Sequence, residues 1–243
     1  MNFPKVLISS PTANAKNYCF HAWIENVMNF TYPNFEVRLF DNSIDGGKNA
    51  QYLNEEYKKT YNNDKFLAAH SKTDHISSVI ERMCVSHNLC RETILNDDFE
   101  YMLHLETDIF PEKSVIENLM YNKKEVVGAV YDRDGGIYRT AMLQKHIWSS
   151  PFNVTAFNFE VGEELFAIDG TCKPYASVGL GCVLIHKTVL DKIPFRFIKN
   201  QRGHPDKYFS EDCFRNNIKI YADTSLYCRH DNKPWGFYGK DFT

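Results

Sequence analysis

The feature that most constrains this chain is the alternation, over roughly its first half, of short apolar runs with amphipathic stretches. Short runs that are apolar throughout suit strands buried on both faces, and helices between them make the crossovers of a parallel sheet. Residues 4–10 form the first run, followed by a turn at 11–14 and a helical pattern from about 16 to 29. Pro33-Asn34 breaks the chain before a second strand at 36–40, which stops at Asp41-Asn42-Ser43. Gly46-Gly47 loosens the next loop, and a polar helix near 49–60 leads to a third strand at 65–69. In 75–95, Ile76, Val79, Ile80, Met83, Cys84 and Cys90 recur at helical intervals. A strand at 101–105 runs straight into Glu106-Thr107-Asp108, and a helix from Ser114 and a strand at 125–130 complete the alternating part.

The second half is less regular. Residues 131–178 show no clear period, after which 178–185 reads as a strand opened by Gly179 and Gly181, with a short helix at 187–192. The segment 196–208, with Arg196, Lys199, Arg202, His204 and Lys207, is expected to be a mobile loop. Ser210 is expected to cap a helix whose first turn holds Glu211 and Asp212, and a strand at 218–222 precedes His230. Trp148, Trp235 and Tyr238 are candidates for stacking on a sugar or base, with core packing as the ordinary alternative.

Composition narrows the function classes. With 43% apolar and 24% charged residues the chain is globular, and a net charge of −3 gives no sign of a polyanionic partner. No apolar run is long enough to cross a bilayer, and the first ten residues lack a signal-peptide pattern. Seven scattered cysteines do not form a disulfide framework, so a cytoplasmic location is expected. Cys84, His87 and Cys90 fan over a wide arc of one helix and read as buried residues rather than metal ligands.

Two acidic clusters, Asp41-Asn42 and Glu106-Thr107-Asp108, fall at strand ends, where α/β sheets bind their ligands. Carboxylates so placed suit hard divalent cations, which take one or two protein oxygens and the rest from phosphate and water. The ordinary alternative for Glu106-Thr107-Asp108 is an acidic turn leading into the helix at Ser114.

Several segments, in order, resemble family 2 glycosyltransferases of the GT-A fold. Ile8-Ser9-Ser10-Pro11-Thr12-Ala13-Asn14 is similar to their first strand and loop, and the stretch from Thr31 to Ser43 to their second-strand region. Ser86-His87-Asn88 stands where the family has Arg-Asn, and Leu105-Glu106-Thr107-Asp108 where it has Asp-any-Asp. The glycine-led strand at 178–185, Ser210-Glu211-Asp212 and the segment from Tyr221 to His230 resemble its acceptor-side strand, Glu-Asp motif and closing strand.

The resemblance implies a mixed, mostly parallel α/β sheet flanked by helices in one domain over 1–243. Its nucleotide half would be about 1–108, its acceptor and catalytic half about 109–230, and its C-terminal tail 231–243. It implies a metal-dependent transfer of sugar from a nucleoside-diphosphate sugar, UDP-linked by preference, to an acceptor hydroxyl with inversion. Pro11, Thr12, Asp41 and Asn42 would hold the nucleoside, with Glu106 nearby, and Asp108 and His230 would bind Mn²⁺ or Mg²⁺. Gly179, Gly181 and Glu211 would serve sugar or acceptor, and Asp212 would be the general base. The acceptor class stays open among glycan, protein, small molecule and modified nucleic-acid base. Rival readings are a non-catalytic nucleotide-sugar-binding protein and a sugar nucleotidyltransferase, whose usual glycine-rich basic loop is missing from 10–14.

Overall fold

A computed structural model describes residues 3–132, 144–146, 157–159, 169–201 and 203–231. Its first strand, β1 (Val6–Thr12), is buried along its whole length, as the apolar run predicts. A 3-10 helix (Asn14–Cys19) and α1 (Phe20–Met28) follow, then β2 (Phe35–Asp41), α2 (Lys48–Thr60), β3 (Phe66–His70) and α3 (Val79–Asn96). Next come β4 (Tyr101–Leu105), β5 (Ile109–Phe110), α4 (Val115–Tyr121) and β6 (Val126–Tyr131). β7 (Gln144–His146) and β8 (Phe157–Phe159) form a separate antiparallel pair. The chain continues with β9 (Cys172–Tyr175), β10 (Cys182–His186), α5 (Lys187–Lys192), α6 (Pro205–Arg215) and β11 (Ile220–His230).

The main sheet has the order β3-β2-β1-β4-β10-β6-β11-β5, with β9 also on β11. β3, β2, β1 and β4 are parallel, and β10 lies antiparallel between β4 and β6. β6 and β11 therefore run with the first four strands. This is the mixed, mostly parallel sheet expected of the sequence. After β3 the chain crosses back to lay β4 on the other side of β1. The reversal places a switch point between the carboxyl ends of β1 and β4, where such sheets form a ligand crevice.

Side chains alternate between two cores. Val6 and Ile8 of β1, Leu103 and Leu105 of β4, and Cys182 and Leu184 of β10 pack with α1, α2 and α4. Leu7, Met102, Val183 and Ile185 pack on the other face with α3, α5 and α6. Pro11 falls inside β1 rather than in the turn expected at 11–14. β1 pairs with β4 only through Ser9, so a residue without an N–H is tolerated beyond that point. α3 begins at Val79, later than 75, because the Ser78 hydroxyl accepts the Glu81 N–H at 3.3 Å and caps it.

Three expectations in the second half change. The glycine-led strand starts at Cys182, not 178, since Gly179 at φ 61° turns the chain first. Ser210 is not a cap: α6 starts at Pro205, the first turn lies inside the segment expected to be loop, and Ser210 is buried mid-helix. The strand expected at 218–222 extends from Ile220 to His230. Trp148, Arg202, Trp235, Tyr238 and residues 232–243 of the expected tail lie outside the described residues. Among the described residues no helix is long and apolar enough to cross a membrane. All seven cysteines are free thiols, and Cys84 and Cys90 are buried on α3.

His87 of α3 is buried too, stacked between His104 and Phe195 at centroid distances of 4.9 and 4.8 Å. His104 Nδ1 bonds the Leu180 carbonyl, which only accepts, so Nδ1 carries the proton. His104 Nε2 is then the acceptor for His87 Nδ1–H at 3.1 Å. Burial, then the neighbouring His104 and the Lys16 charge, push the His87 pKa well below its ordinary value. Burial, with Lys16 adding and Glu106 and the Leu180 carbonyl opposing, brings His104 down to about 4.

The folded protein thus binds fewer protons here than the unfolded chain between pH 6.5 and 4. This contribution to stability is complete above about pH 6.5 and is lost as pH falls, by about 2 kcal/mol at pH 5 from His104 alone. Urea denaturation from pH 8 to 5 should show this loss in wild type and a shallower one in His104→Gln. His230, which Asp108 draws upward and which contributes with opposite sign, is common to both proteins. Equal slopes would show that the pair does not set the acid sensitivity.

Candidate active site

The sheet's carboxyl edge gathers residues from distant parts of the chain. Glu106 follows β4, and its N–H donates to the Gly181 carbonyl at 2.9 Å, which fixes the acidic turn against the start of β10. Asp108 lies two residues on and is only 1% exposed. β5 pairs with the end of β11 so that Ile109 faces His230, and the Asp231 N–H donates to the Asp108 carbonyl at 2.8 Å. Strand pairing alone therefore sets His230 beside Asp108, and its Nε2 is 3.8 Å from Asp108 Oδ2. His230 Nδ1 bonds the Asp132 carbonyl at 2.6 Å and so carries the proton.

Lys16, which the sequence reading did not single out, completes this cluster. The 3-10 helix after β1 delivers its ammonium into the crevice, 2.9 Å from Glu106 Oε2 and 2.9 Å from Asp108 Oδ1. Its side chain is only 12% exposed. Burial opposes its charge, but Glu106 and Asp108 outweigh this and raise its pKa. Burial likewise opposes ionisation of Asp108, and Lys16 and His230 overcome it, holding the carboxyl at about 2. Asp108 Oδ2 is buried with no hydrogen-bond partner. Among the described residues no three His, Cys, Asp or Glu side chains converge as a metal-holding group.

Tyr131, at the end of β6, packs edge-on to the His230 ring at 5.8 Å. Its hydroxyl accepts the Gly181 N–H at 2.9 Å. A Cβ on Gly181 would lie 2.4 Å from the Tyr131 ring, so the close approach this glycine permits is by a tyrosine of the same chain. Burial, then Glu106, Asp206 and Asp108, raise the Tyr131 pKa well above its ordinary value. Asp132 carries a buried Oδ1 without a partner. Tyr131 and Asp132 were legible in principle, since they end a strand parallel to β1 and β4. Lys16 gave no such signal, being a single basic residue in a turn.

The residues expected to hold the nucleoside line the ends of β1 and β2. Thr12 and Thr107 hydroxyls lie 3.2 Å apart, and the Asn42 N–H donates to the Thr12 carbonyl at 2.9 Å. Asp41 is fully buried. Its Oδ1 accepts from the Ser43 hydroxyl at 2.7 Å and the Asn49 amide at 2.9 Å, while Oδ2 has no partner. Pro11, Thr12, Asp41, Asn42, Glu106, Asp108, Gly181 and His230 thus share one edge of the sheet.

Glu211 and Asp212 pair elsewhere. They lie past the middle of α6, where the helix dipole gives carboxylates no support, and arginines balance them instead. Arg196 holds Asp212 bidentately at 2.6 and 3.1 Å, with Glu211 at 3.3 Å, and Arg215 is 3.7 Å from Asp212. A different α6 carboxylate senses the crevice. Burial and the charge of Glu106 raise the Asp206 pKa, against the opposing effects of His204 and the Lys207 N–H. The middle of α6 is tied to the glycine segment, because Ser210 donates to Ser177 at 2.8 Å and Ser177 accepts the Gly179 N–H at 3.4 Å.

No protein-family profile and no curated protein sequence matches the chain. Solved structures do. GalNAc-T7 with UDP, GalNAc and Mn²⁺ is similar with a TM-score of 0.65 and 12% identity, over 94% of this chain and 44% of that one. TarS of S. aureus is similar with a TM-score of 0.57 and 15% identity, over 97% of this chain and 38% of that one. The 1–349 form of TarS with UDP-GlcNAc gives 0.56 and 13%, over 92% and 58%. The chain spans about two fifths to three fifths of the length of these structures. At this identity the likeness is one of architecture: the chain has the GT-A fold of glycosyltransferases.

Proposed function

We propose that the protein is a metal-dependent glycosyltransferase that moves a sugar from a UDP-linked donor to an acceptor hydroxyl, with inversion at the anomeric carbon. The observation that carries this reading is the Glu106–Asp108 pair with His230 at the switch point of a fold shared with proteins solved with UDP, UDP-GlcNAc and Mn²⁺. Asp41 Oδ2, an acceptor without a partner, suits a nucleobase N–H, and Thr12 and Asn42 border it. The residues present fit a divalent cation. Asp108 Oδ2 is an orphaned buried oxygen, and the Asp132 carbonyl fixes the tautomer that turns the His230 Nε2 lone pair toward it. One carboxylate and one imidazole, with diphosphate oxygens and water, suit Mn²⁺. When bound, such an ion offsets the charge that develops on the leaving diphosphate.

The chain's own residues supply the rest. Glu106 and Asp108 set the charge of the crevice, and Gly179 and Gly181 shape the segment facing it. Asp212 is the proposed general base, taking the acceptor hydroxyl proton, with Arg196 orienting its carboxylate and Glu211 beside it. A second reading gives the base role to Asp206, because the field of Glu106 reaches its carboxyl. A carboxylic acid with a raised pKa beside a charged cleft is a frequent mark of acid–base chemistry.

Two measurements test these roles. UDP at about a hundred times its dissociation constant should stabilise wild type by about 2.7 kcal/mol in thermal-shift assays with Mn²⁺, and much less with EDTA or in Asp108→Ala. No shift in well-folded wild type would sink the donor site and favour a chain that binds neither metal nor nucleotide. For the base, Asp212→Asn should lower kcat by about 10²–10⁴ while leaving the UDP dissociation constant within twofold. Full activity in Asp212→Asn with that loss in Asp206→Asn would move the role to the first turn of α6.

A further inference from the structure

Resting on the metal-dependent reading above, we infer that Lys16 couples metal to nucleotide: its ammonium neutralises Glu106 and Asp108 in the free protein and shifts to the donor diphosphate when a divalent cation binds. The two carboxylates and the ammonium together carry one net negative charge, at contacts of 2.9 Å. A divalent ion entering beside Asp108 Oδ2 and His230 would stand next to the Lys16 charge, which holds Asp108 Oδ1. Two cations sharing one buried carboxylate repel strongly, because little solvent screens them. A nucleoside diphosphate supplies the missing anion. With it present, the ammonium gains a new partner and the metal keeps the carboxylate.

The local structure allows this exchange without moving the backbone. The Lys16 N–H donates to the Ala13 carbonyl at 2.8 Å, and the Lys16 carbonyl accepts the Cys19 thiol at 3.1 Å, so the 3-10 turn stays fixed. Cys19 also bonds the Thr107 carbonyl at 3.0 Å, which anchors that turn to the middle residue of the acidic motif. Only the four-carbon stem of the lysine has to swing, and a lysine ammonium accepts either partner as a point charge. Coupling of this kind is reciprocal, so the metal must strengthen nucleotide binding by the factor by which nucleotide strengthens metal binding.

The test is a titration of Mn²⁺ followed by electron paramagnetic resonance of the free ion, with and without UDP, on wild type, Lys16→Met and Lys16→Gln. Lys16→Gln keeps a hydrogen-bond donor to the carboxylates without the charge, in case Lys16→Met fails to fold. In wild type, UDP should tighten Mn²⁺ binding. Removal of the charge should tighten Mn²⁺ binding in the absence of UDP by about tenfold or more, since two charge-assisted contacts no longer compete. The tightening produced by UDP should shrink correspondingly. Mn²⁺ alone should also raise the melting temperature of the variants more than that of wild type. Mn²⁺-dependent UDP binding in wild type, with Mn²⁺ affinity unchanged in both variants, would overturn the role of Lys16 and leave the donor site standing. Absence of Mn²⁺-dependent UDP binding in wild type would remove the metal reading itself, and this inference with it.

Discussion

The charge balance of Asp108 governs the whole carboxyl edge of the sheet. A carboxylate this buried is costly to keep ionised unless cations and donors surround it. Its partners come from the turn after β1 and the last residue of β11, parts of the chain more than two hundred residues apart. Satisfying this one group fixes the 3-10 turn, the acidic motif and the end of the long closing strand relative to one another. One oxygen, Oδ2, is left buried without a hydrogen-bond partner, and the proposed metal reading rests on it.

A polar spine through the sheet supports that edge. His87 on α3 bonds His104 on β4, His104 bonds Leu180, and Gly181 meets both the Glu106 N–H and the Tyr131 hydroxyl. Each buried N–H in this series has an acceptor, which is what allows polar groups to cross an apolar core. The spine joins α3 and β4 to the glycine segment, so the geometry at Glu106 depends on packing far from it. His87 stands where the resembled family has a cation. Here the position belongs to a neutral, stacked imidazole, while the Lys16 ammonium stands in the crevice.

α6 shows how a motif and its surroundings separate. Ser210-Glu211-Asp212 reads as a helix start, yet Pro205 begins the helix and turns the motif into its middle. Asp206 and Asp212 are six residues apart and so lie on different faces of the helix. Asp212 meets Arg196 and Arg215, while Asp206 senses Glu106. The helix therefore offers two carboxylates with distinct electrostatic settings.

Periodicity and turn chemistry along the chain account for the layered sheet, the succession of its first strands and helices, and the places where polar groups gather. Apolar period, turn residues and acidic strand ends are local properties, so β1, β2, β4 and the Glu106-Thr107-Asp108 turn were legible from them. Element ends were less so, because Gly179 and the Ser78 cap act through backbone geometry that periodicity does not encode. Which charges meet is set by the folded arrangement. Lys16 reaches Glu106 and Asp108 through the position of its turn, His230 reaches Asp108 through the β5–β11 register, and Tyr131 fills the space at Gly181. These pairings depend on long-range packing and on the cost of burying an unpaired charge, neither of which residue spacing records.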